Sequence, residues 1–250
     1  GAMCAVGTLN ANAWGFPMLH AQIAVFFLAA VWLTLNRVDN QAPDYPLVRV
    51  KYALLLLLLP ALAATFALQF KYFLNLRADV ITSCCGSLFS EQGPALASEA
   101  SGMEARPAIL LFYGALGAAV FANGLHAGLR LRWSGVVGAL ASAAAFVAGI
   151  VGILSFVSLY VYEHPHHHCP FCLLKPEYSY QGYLLYVPLF VSTAAGLGAG
   201  VLQPFAGVGS LKVLVPRASG RLAGAAALGF ALFAAVATIM VLKSNLILLA

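Results

Sequence analysis

The stretch "EHPHHHCPFCLLKPE", residues 163–177, holds four of the six histidines of the chain and two of its five cysteines. Cys169 and Cys172 form a CxxC motif, whose two thiols can close a small disulfide ring or hold one metal ion. Nearby positive charge lowers the pKa of a thiol, and free imidazole titrates near ~6.5. The neighbouring histidines can therefore supply charge or accept a proton: His164, His166, His167 and His168. For any single histidine, an interfacial polar loop is the alternative.

A second pair of thiols stands in "TSCCGSLFSEQG", residues 82–93. Adjacent cysteines such as Cys84 and Cys85 rarely bond to each other, because the ring that they would form strains the peptide between them. They are better suited to exchange with Cys169 or Cys172, in which a thiolate attacks a disulfide sulfur through a mixed disulfide. The two cysteine loops together favour a thiol–disulfide relay.

The elements that must position these loops are membrane spans. The chain of 250 residues is 62% hydrophobic and 8% charged, whereas soluble domains carry about 25% charged residues. Crossing a bilayer takes about 20 apolar residues, and such runs lie at 18–36, 52–70, 107–127, 135–162, 181–202 and 222–242. The predicted fold class is an all-α polytopic membrane protein with about six transmembrane helices, in a single transmembrane domain over 1–250.

The loops between the spans alternate in charge. Loops 37–51, 128–134 and 203–221 carry eight of the thirteen Lys and Arg residues, and the other loops carry six of the eight acidic ones. The positive-inside rule assigns the basic loops to the cytoplasm, so the net charge of +5 indicates topology rather than nucleic-acid binding. Both termini and all the cysteines then lie outside. In a bacterial inner membrane they face the periplasm, where disulfides persist.

With this arrangement the sequence resembles the vitamin K epoxide reductase family and, more distantly, the DsbB-type disulfide-forming proteins. The resemblance covers about residues 52–202 and depends on the CxxC, on the outer loop 71–106 and on Cys85-Gly-Ser-Leu-Phe-Ser90 within that loop. It implies a catalytic four-helix bundle over 52–202, with flanking helices at 18–36 and 222–242. Three features depart from the family pattern: Cys84 is directly adjacent to Cys85, four histidines precede the CxxC, and Pro176 soon after the CxxC delays the helix that the family would start there.

The same resemblance implies a role for each cysteine. Cys172 would pass electrons to a quinone, and Cys169 would exchange with Cys85 or Cys84, which would in turn oxidise a periplasmic thiol protein. Candidate quinone contacts are the aromatic and polar side chains nearby: Tyr162, His164 and Tyr183. An aromatic belt at the membrane interface is the alternative explanation for the tyrosines.

Two other functions remain open. Imidazole and thiolate are ligands that suit Zn²⁺ or Cu(I), and a periplasm-facing metal site would use His166, His168, Cys169 and Cys172. Alternatively, the protein is an anchor subunit with partners in a larger membrane complex. The leading prediction is a membrane thiol–disulfide oxidoreductase.

Overall fold

The computed structural model describes residues 5–77, 105–165 and 167–246. Within them the chain is helical. The α-helices are α1 (Ala5–Leu9), α2 (Gly15–Asp39), α3 (Val48–Leu74), α4 (Ala105–Leu129), α5 (Arg132–Gly152), α6 (Ser158–Tyr162), α7 (Gln181–Val201) and α8 (Leu214–Lys243). A π-helical turn at Ile153–Val157 joins α5 to α6, so the two form one continuous span.

Six helical segments are long and apolar enough to cross a membrane, and each contains one predicted span. They are Gly15–Asp39, Val48–Leu74, Ala105–Leu129, Arg132–Tyr162, Gln181–Gly207 and Leu214–Lys243. The prediction of an all-α integral membrane protein is confirmed. The sixth span begins at Leu214, earlier than the predicted start at residue 222. Arg217 and Arg221 lie in its first turns, and their charge had set the predicted start after them. Long arginine side chains can reach the interface from inside a helix, so they do not end it.

Four of the helices close into a bundle, in which α4 packs on α5, α5 on α7, α7 on α8 and α8 on α4. Helix α2 lies outside the bundle against α7, and α3 packs mainly against α2. The bundle therefore consists of the third to sixth spans, which differs from the expected bundle over 52–202. The buried core of the bundle includes aromatic and leucine side chains: Phe112, Phe156, Leu189, Phe230 and Phe233.

The sequences of α3 and α8 explain why α8 belongs to the bundle and α3 does not. Helix α3 buries only Leu58, Thr65 and Tyr72, a seam one residue wide at seven-residue spacing. Helix α8 buries small residues along one face: Ser219, Gly220, Ala223, Ala226 and Ala227. Small residues let membrane helices approach closely enough to pack by dispersion, so α8 can contact two neighbours while α3 contacts chiefly one.

An ion pair fixes the turn between α2 and α3. Lys51 Nζ lies 2.8 Å from Asp39 Oδ2, and the Asp39 carboxylate is fully buried. Asp39 Oδ1 also accepts the backbone N–H of Leu47 at 2.7 Å. A buried carboxylate is tolerated only when it is paired and hydrogen-bonded. These contacts hold α2 and α3 together as a hairpin.

The bundle has two chemically different ends. The thiol end is defined by Cys169 and Cys172, where α6 ends and α7 begins. The basic end is defined by the arginines at the opposite helix ends: Arg37, Arg130, Arg132, Arg217 and Arg221. Helix α1 lies at the thiol end, because Val6 packs with Cys169 and Cys172. The carboxyl end of α3 lies there too, since the Tyr72 hydroxyl donates to Thr8 O at 2.8 Å.

Replacing Gly152 by alanine should destabilise the bundle by about 1–3 kcal/mol, the usual cost of overpacking a core. A Cβ at this position would overlap the ring of Phe112. That ring is fully buried and packs edge-on against Phe156, with centroids 5.2 Å apart, so it has little room to move. The matched control is Gly117→Ala in α4, where a Cβ meets no atom within 4 Å. Denaturant titration in detergent micelles measures both variants, and equal midpoints would contradict the prediction.

Candidate functional site

The two cysteines of the CxxC are in contact and buried. Neither is in a disulfide, and the Cys172 thiol donates to Cys169 Sγ at 3.2 Å. Cys169 is 0% exposed and Cys172 is 5% exposed. A disulfide requires about 2.05 Å between sulfurs, and two thiolates on tetrahedral zinc lie about 3.8 Å apart, given Zn–S of about 2.3 Å. The pair is thus closer than a zinc site requires and needs a shift of about 1 Å to close a disulfide.

Packing of the loop onto α7 sets this geometry. Leu173, the residue after Cys172, is fully buried in the bundle core. The loop approaches the start of α7 so closely at Gly182 that a Cβ there would meet the backbone carbon of Leu173 at 3.0 Å. The Tyr186 hydroxyl on the same helix donates to Pro170 O at 2.8 Å. The CxxC is therefore held on α7 by a buried side chain, a close backbone approach and a hydrogen bond.

The π-helical turn holds the loop from the other side. His168 Nδ1 donates to Leu154 O, inside the turn, at 2.8 Å. A π-helical turn leaves a carbonyl outside the regular i→i−4 ladder, and such turns are frequent at functional sites. The His168 ring is thereby bound to the backbone of the membrane span.

His167 is the imidazole that the structure brings to the thiols. One ligand atom from each of His167, Cys169 and Cys172 lies within 4.8 Å of the others. The ring of Tyr162 stacks on that of His167, with centroids 4.1 Å apart and an interplanar angle of 27°. The Tyr162 hydroxyl donates to Cys169 O at 2.6 Å. Tyr178 packs edge-on against Tyr162 with centroids 4.6 Å apart, so aromatic rings enclose the cluster.

The charge state of His167 follows from its surroundings. Burial lowers the pKa of His167; the Cys169 thiolate and its hydrogen bond raise it, and His164 and His168 lower it further. Its Nε2 is buried and has no hydrogen-bond partner among the described residues. A neutral imidazole can accept a proton from a thiol or ligate a metal, so the base and ligand roles suit His167 better than that of a fixed cation.

His167 should titrate below the value of about 6.5 found for free histidine. Because the folded state favours the neutral ring, its stabilising effect is full above pH of about 6.5 and is lost as the pH falls toward the folded pKa. Imidazole NMR of the reduced protein measures the midpoint, with His167→Gln to assign the signal. A midpoint above 6.5 would mean that attraction to the thiolate outweighs burial.

The other predicted site residues have different positions. Cys84, Cys85 and His166 lie outside the described residues. His164 is exposed after the end of α6, and Tyr183 is 54% exposed, on the outer surface of α7. Of the three expected quinone contacts, Tyr162 alone packs with the two cysteines. The metal set expected from the sequence included His166 and His168 but not His167.

Helix α1 covers the thiols. Val6 is 1% exposed and packs with Cys169 and Cys172 in one buried cluster. Side chains at the border of that cluster complete it: Phe16, Tyr162, Phe171 and Tyr178. Helix α1 is bonded to α3 by the Tyr72 hydroxyl, which donates to Thr8 O, and the turn after α1 is bonded to α3 by Asn12 Nδ2, which donates to Tyr72 O at 3.0 Å. We refer to residues Ala5–Leu9 in this position as the α1 cover.

Comparison of the chain with protein-family models, curated proteins and solved structures found no match. The resemblance to the vitamin K epoxide reductase family therefore stays a prediction. The function has to be inferred from the residues of the site.

Proposed function

We propose that the protein is a membrane thiol–disulfide oxidoreductase that relays electrons between a periplasmic thiol protein and a quinone. The observation that carries the proposal is the contact between Cys172 Sγ and Cys169 Sγ at 3.2 Å. Two thiols held in contact by packing of their loop need little rearrangement to form or open a disulfide. Exchange through such a pair requires a nearby base, and neutral His167 is close enough to act as one.

The proposed exchange begins with the Cys169–Cys172 disulfide. A thiolate on Cys85 or Cys84 attacks Cys169 Sγ, a mixed disulfide forms, and Cys172 leaves as a thiolate. One thiolate of the partner protein then attacks the loop cysteine and releases Cys169. A second partner thiol attacks the first and releases the loop cysteine. The partner dithiol has become a disulfide, and Cys169 and Cys172 have gained two electrons and two protons.

Oxidation of the Cys169–Cys172 dithiol returns those two electrons and two protons to a quinone, giving a quinol. In this oxidation His167, which lies beside both thiols, accepts a proton that one of them loses as it becomes a thiolate. A groove of about 570 Å³ lies between α6, α7 and α8, and Tyr160 and Glu163 line it. Its rim residues Leu184 and Ile239 are 58% and 51% exposed, on surfaces that face lipid in a bilayer. The size of the groove suits a small ring compound.

The proposal sets the protein in a bacterial inner membrane with the thiol end and both termini in the periplasm. The meeting of α1, the CxxC loop and the end of α8 at one end supports this topology, since Glu163 accepts both the backbone N–H and the Nδ2 of Asn245. The arginines at the basic end satisfy the positive-inside rule.

Purified protein in nanodiscs tests the activity. Dithiothreitol serves as the electron donor and a short-chain ubiquinone as the acceptor, with the rate in empty nanodiscs subtracted. Wild-type protein should reduce the quinone, and Cys169→Ala should abolish the reaction. The matched control is Tyr180→Phe, an exposed residue of the same loop without a role in the proposed exchange, which should keep the wild-type rate. Equal rates in wild type and Cys169→Ala would refute the proposal.

A second candidate function is metal binding, favoured by the cluster of His167, Cys169 and Cys172. Neutral imidazole and two thiolates form a soft donor set that fits Cu(I), or Zn²⁺ with a fourth ligand from elsewhere. Metal analysis of reduced protein tests it. A near-stoichiometric metal content that is lost in both His167→Gln and Cys172→Ser would establish this function.

A further inference from the structure

The basic end carries a groove that the thiol chemistry does not use. It has a volume of about 450 Å³ and lies between α2 and α8. Arg37 contributes from the last turn of α2, and Arg217 and Arg221 contribute from the first turns of α8. Three arginines, from two helices that are far apart in sequence, thus line one space.

The charge of this groove is uncompensated. Its lining residues include no carboxylate. The ion pair between Lys51 and Asp39 lies outside the groove, so that carboxylate does not neutralise the arginines. Arg217 and Arg221 are four residues apart on one helix, a spacing at which like charges repel. The amino end of α8 adds a positive partial charge, and the carboxyl end of α2 adds a negative one, so the helix ends offset each other and the net charge of the groove comes from its three arginines. An anion in the groove would relieve all of these repulsions.

The groove also has an apolar side. Val38 and Leu222 line it, and Thr34 and Leu222 also approach α7, at 2.9 and 3.5 Å from the position of a Cβ on Gly198. The arginines stand at the ends of membrane spans, at the depth of lipid head groups, and from there toward the bilayer centre both α2 and α8 continue as apolar helices. The order of charge and apolar surface matches the order along a phospholipid.

We propose that this groove binds an anionic phospholipid. The phosphate oxygens accept hydrogen bonds from Arg37, Arg217 and Arg221, and an acyl chain lies along α2 and α8. Guanidinium groups bind phosphate in a planar, two-point geometry, and basic pockets between transmembrane helices are suited to acidic head groups. The lipid would join α8 of the bundle to the hairpin of α2 and α3.

Native mass spectrometry of the full chain tests this site, with phosphatidylglycerol, phosphatidylcholine and inorganic phosphate as the probes. Phosphatidylglycerol should bind at least about tenfold more tightly than phosphatidylcholine, which corresponds to about 1.4 kcal/mol. The double variant Arg217→Gln/Arg221→Gln should lose that preference. Arg49→Gln is the matched control, because Arg49 is an exposed arginine of the α2–α3 hairpin that does not line the groove.

Equal binding of the two lipids by wild-type protein would overturn the proposal. So would an equal loss of preference in Arg49→Gln, since net charge alone would then explain the binding. Displacement of phosphatidylglycerol by equimolar inorganic phosphate would also refute a lipid site, because the apolar side would contribute nothing. If the double variant fails to fold, the single variant Arg37→Gln takes its place, with the same expected loss in direction.

Discussion

The Cys172→Ser variant should accumulate a mixed disulfide at Cys169 and should lose quinone-linked turnover by about a thousandfold or more, as when one member of a concerted catalytic set is removed. Cys172 Sγ lies 3.2 Å from Cys169 Sγ, and in the reverse of the first exchange step its thiolate attacks a mixed disulfide at Cys169 and forms the Cys169–Cys172 disulfide again. Without it, Cys169 stays bonded to Cys85, Cys84 or a partner thiol. Non-reducing electrophoresis and intact mass of the alkylated protein detect the adduct.

The matched control for this experiment is Cys4→Ser, which removes one thiol and leaves the four proposed relay cysteines in place. It should give no trapped species and should turn over normally. If no mixed disulfide can be trapped in Cys172→Ser, and bound Zn or Cu falls in Cys172→Ser and His167→Gln alike, the oxidoreductase assignment has to be abandoned in favour of the metal site.

Opening the α1 cover should increase the rate at which a maleimide alkylates Cys169 and Cys172. Burying a valine side chain contributes about 1.5 kcal/mol or more, and Val6 is 1% exposed against the two cysteines. The Val6→Ser variant should therefore raise the open population, and with it the labelling rate, by about tenfold. Mass spectrometry at timed quenches gives the rate for each cysteine.

Two further variants test whether faster labelling comes from opening of the α1 cover or from a general loss of stability. Ala5→Ser places the same serine side chain at an exposed position of α1 and should label at the wild-type rate. Tyr72→Phe removes the hydroxyl that donates to Thr8 O, a bond worth about 0.5–1.5 kcal/mol, and should give a smaller increase than Val6→Ser. Wild-type rates in both Val6→Ser and Tyr72→Phe would mean that reagents reach the thiols by another route.

Composition and loop charge predicted the spans because hydrocarbon thickness sets their length directly. Which spans form the bundle was not predictable in the same way. All six are apolar on most sides, and in lipid no hydrophobic difference separates a packed face from an exposed one. The distinguishing features are fine ones, such as the single-residue seam through Leu58, Thr65 and Tyr72 in α3.

At the site, the spacing of Cys169 and Cys172 predicted their pairing, because two residues between cysteines are enough to bring the thiols together. No feature of the sequence indicated that His167, and not one of the neighbouring histidines, would lie beside the two thiols. The run of histidines lies in an irregular loop, where no period assigns side chains to faces. The hydrogen bond from His168 to Leu154 O depends on a π-helical turn that no motif in the sequence marked. The α1 cover is a segment of five residues, too short to carry a pattern.

Helix α3 is in contact both with the α1 cover, through Tyr72, and with the lipid that surrounds the bundle. Most of its surface faces outward, and it packs mainly against α2. Tyr72, near its carboxyl end, is hydrogen-bonded to Thr8 in the α1 cover and to Asn12 in the turn that follows. Transmembrane helices meet a change in hydrocarbon thickness by tilting, and a helix supported on one side tilts more easily than the four that support one another. We expect tilt of α3 to move Tyr72 and, through its hydrogen bond to Thr8 O, the α1 cover, so a change in bilayer thickness should change how fast a reagent reaches Cys169 and Cys172.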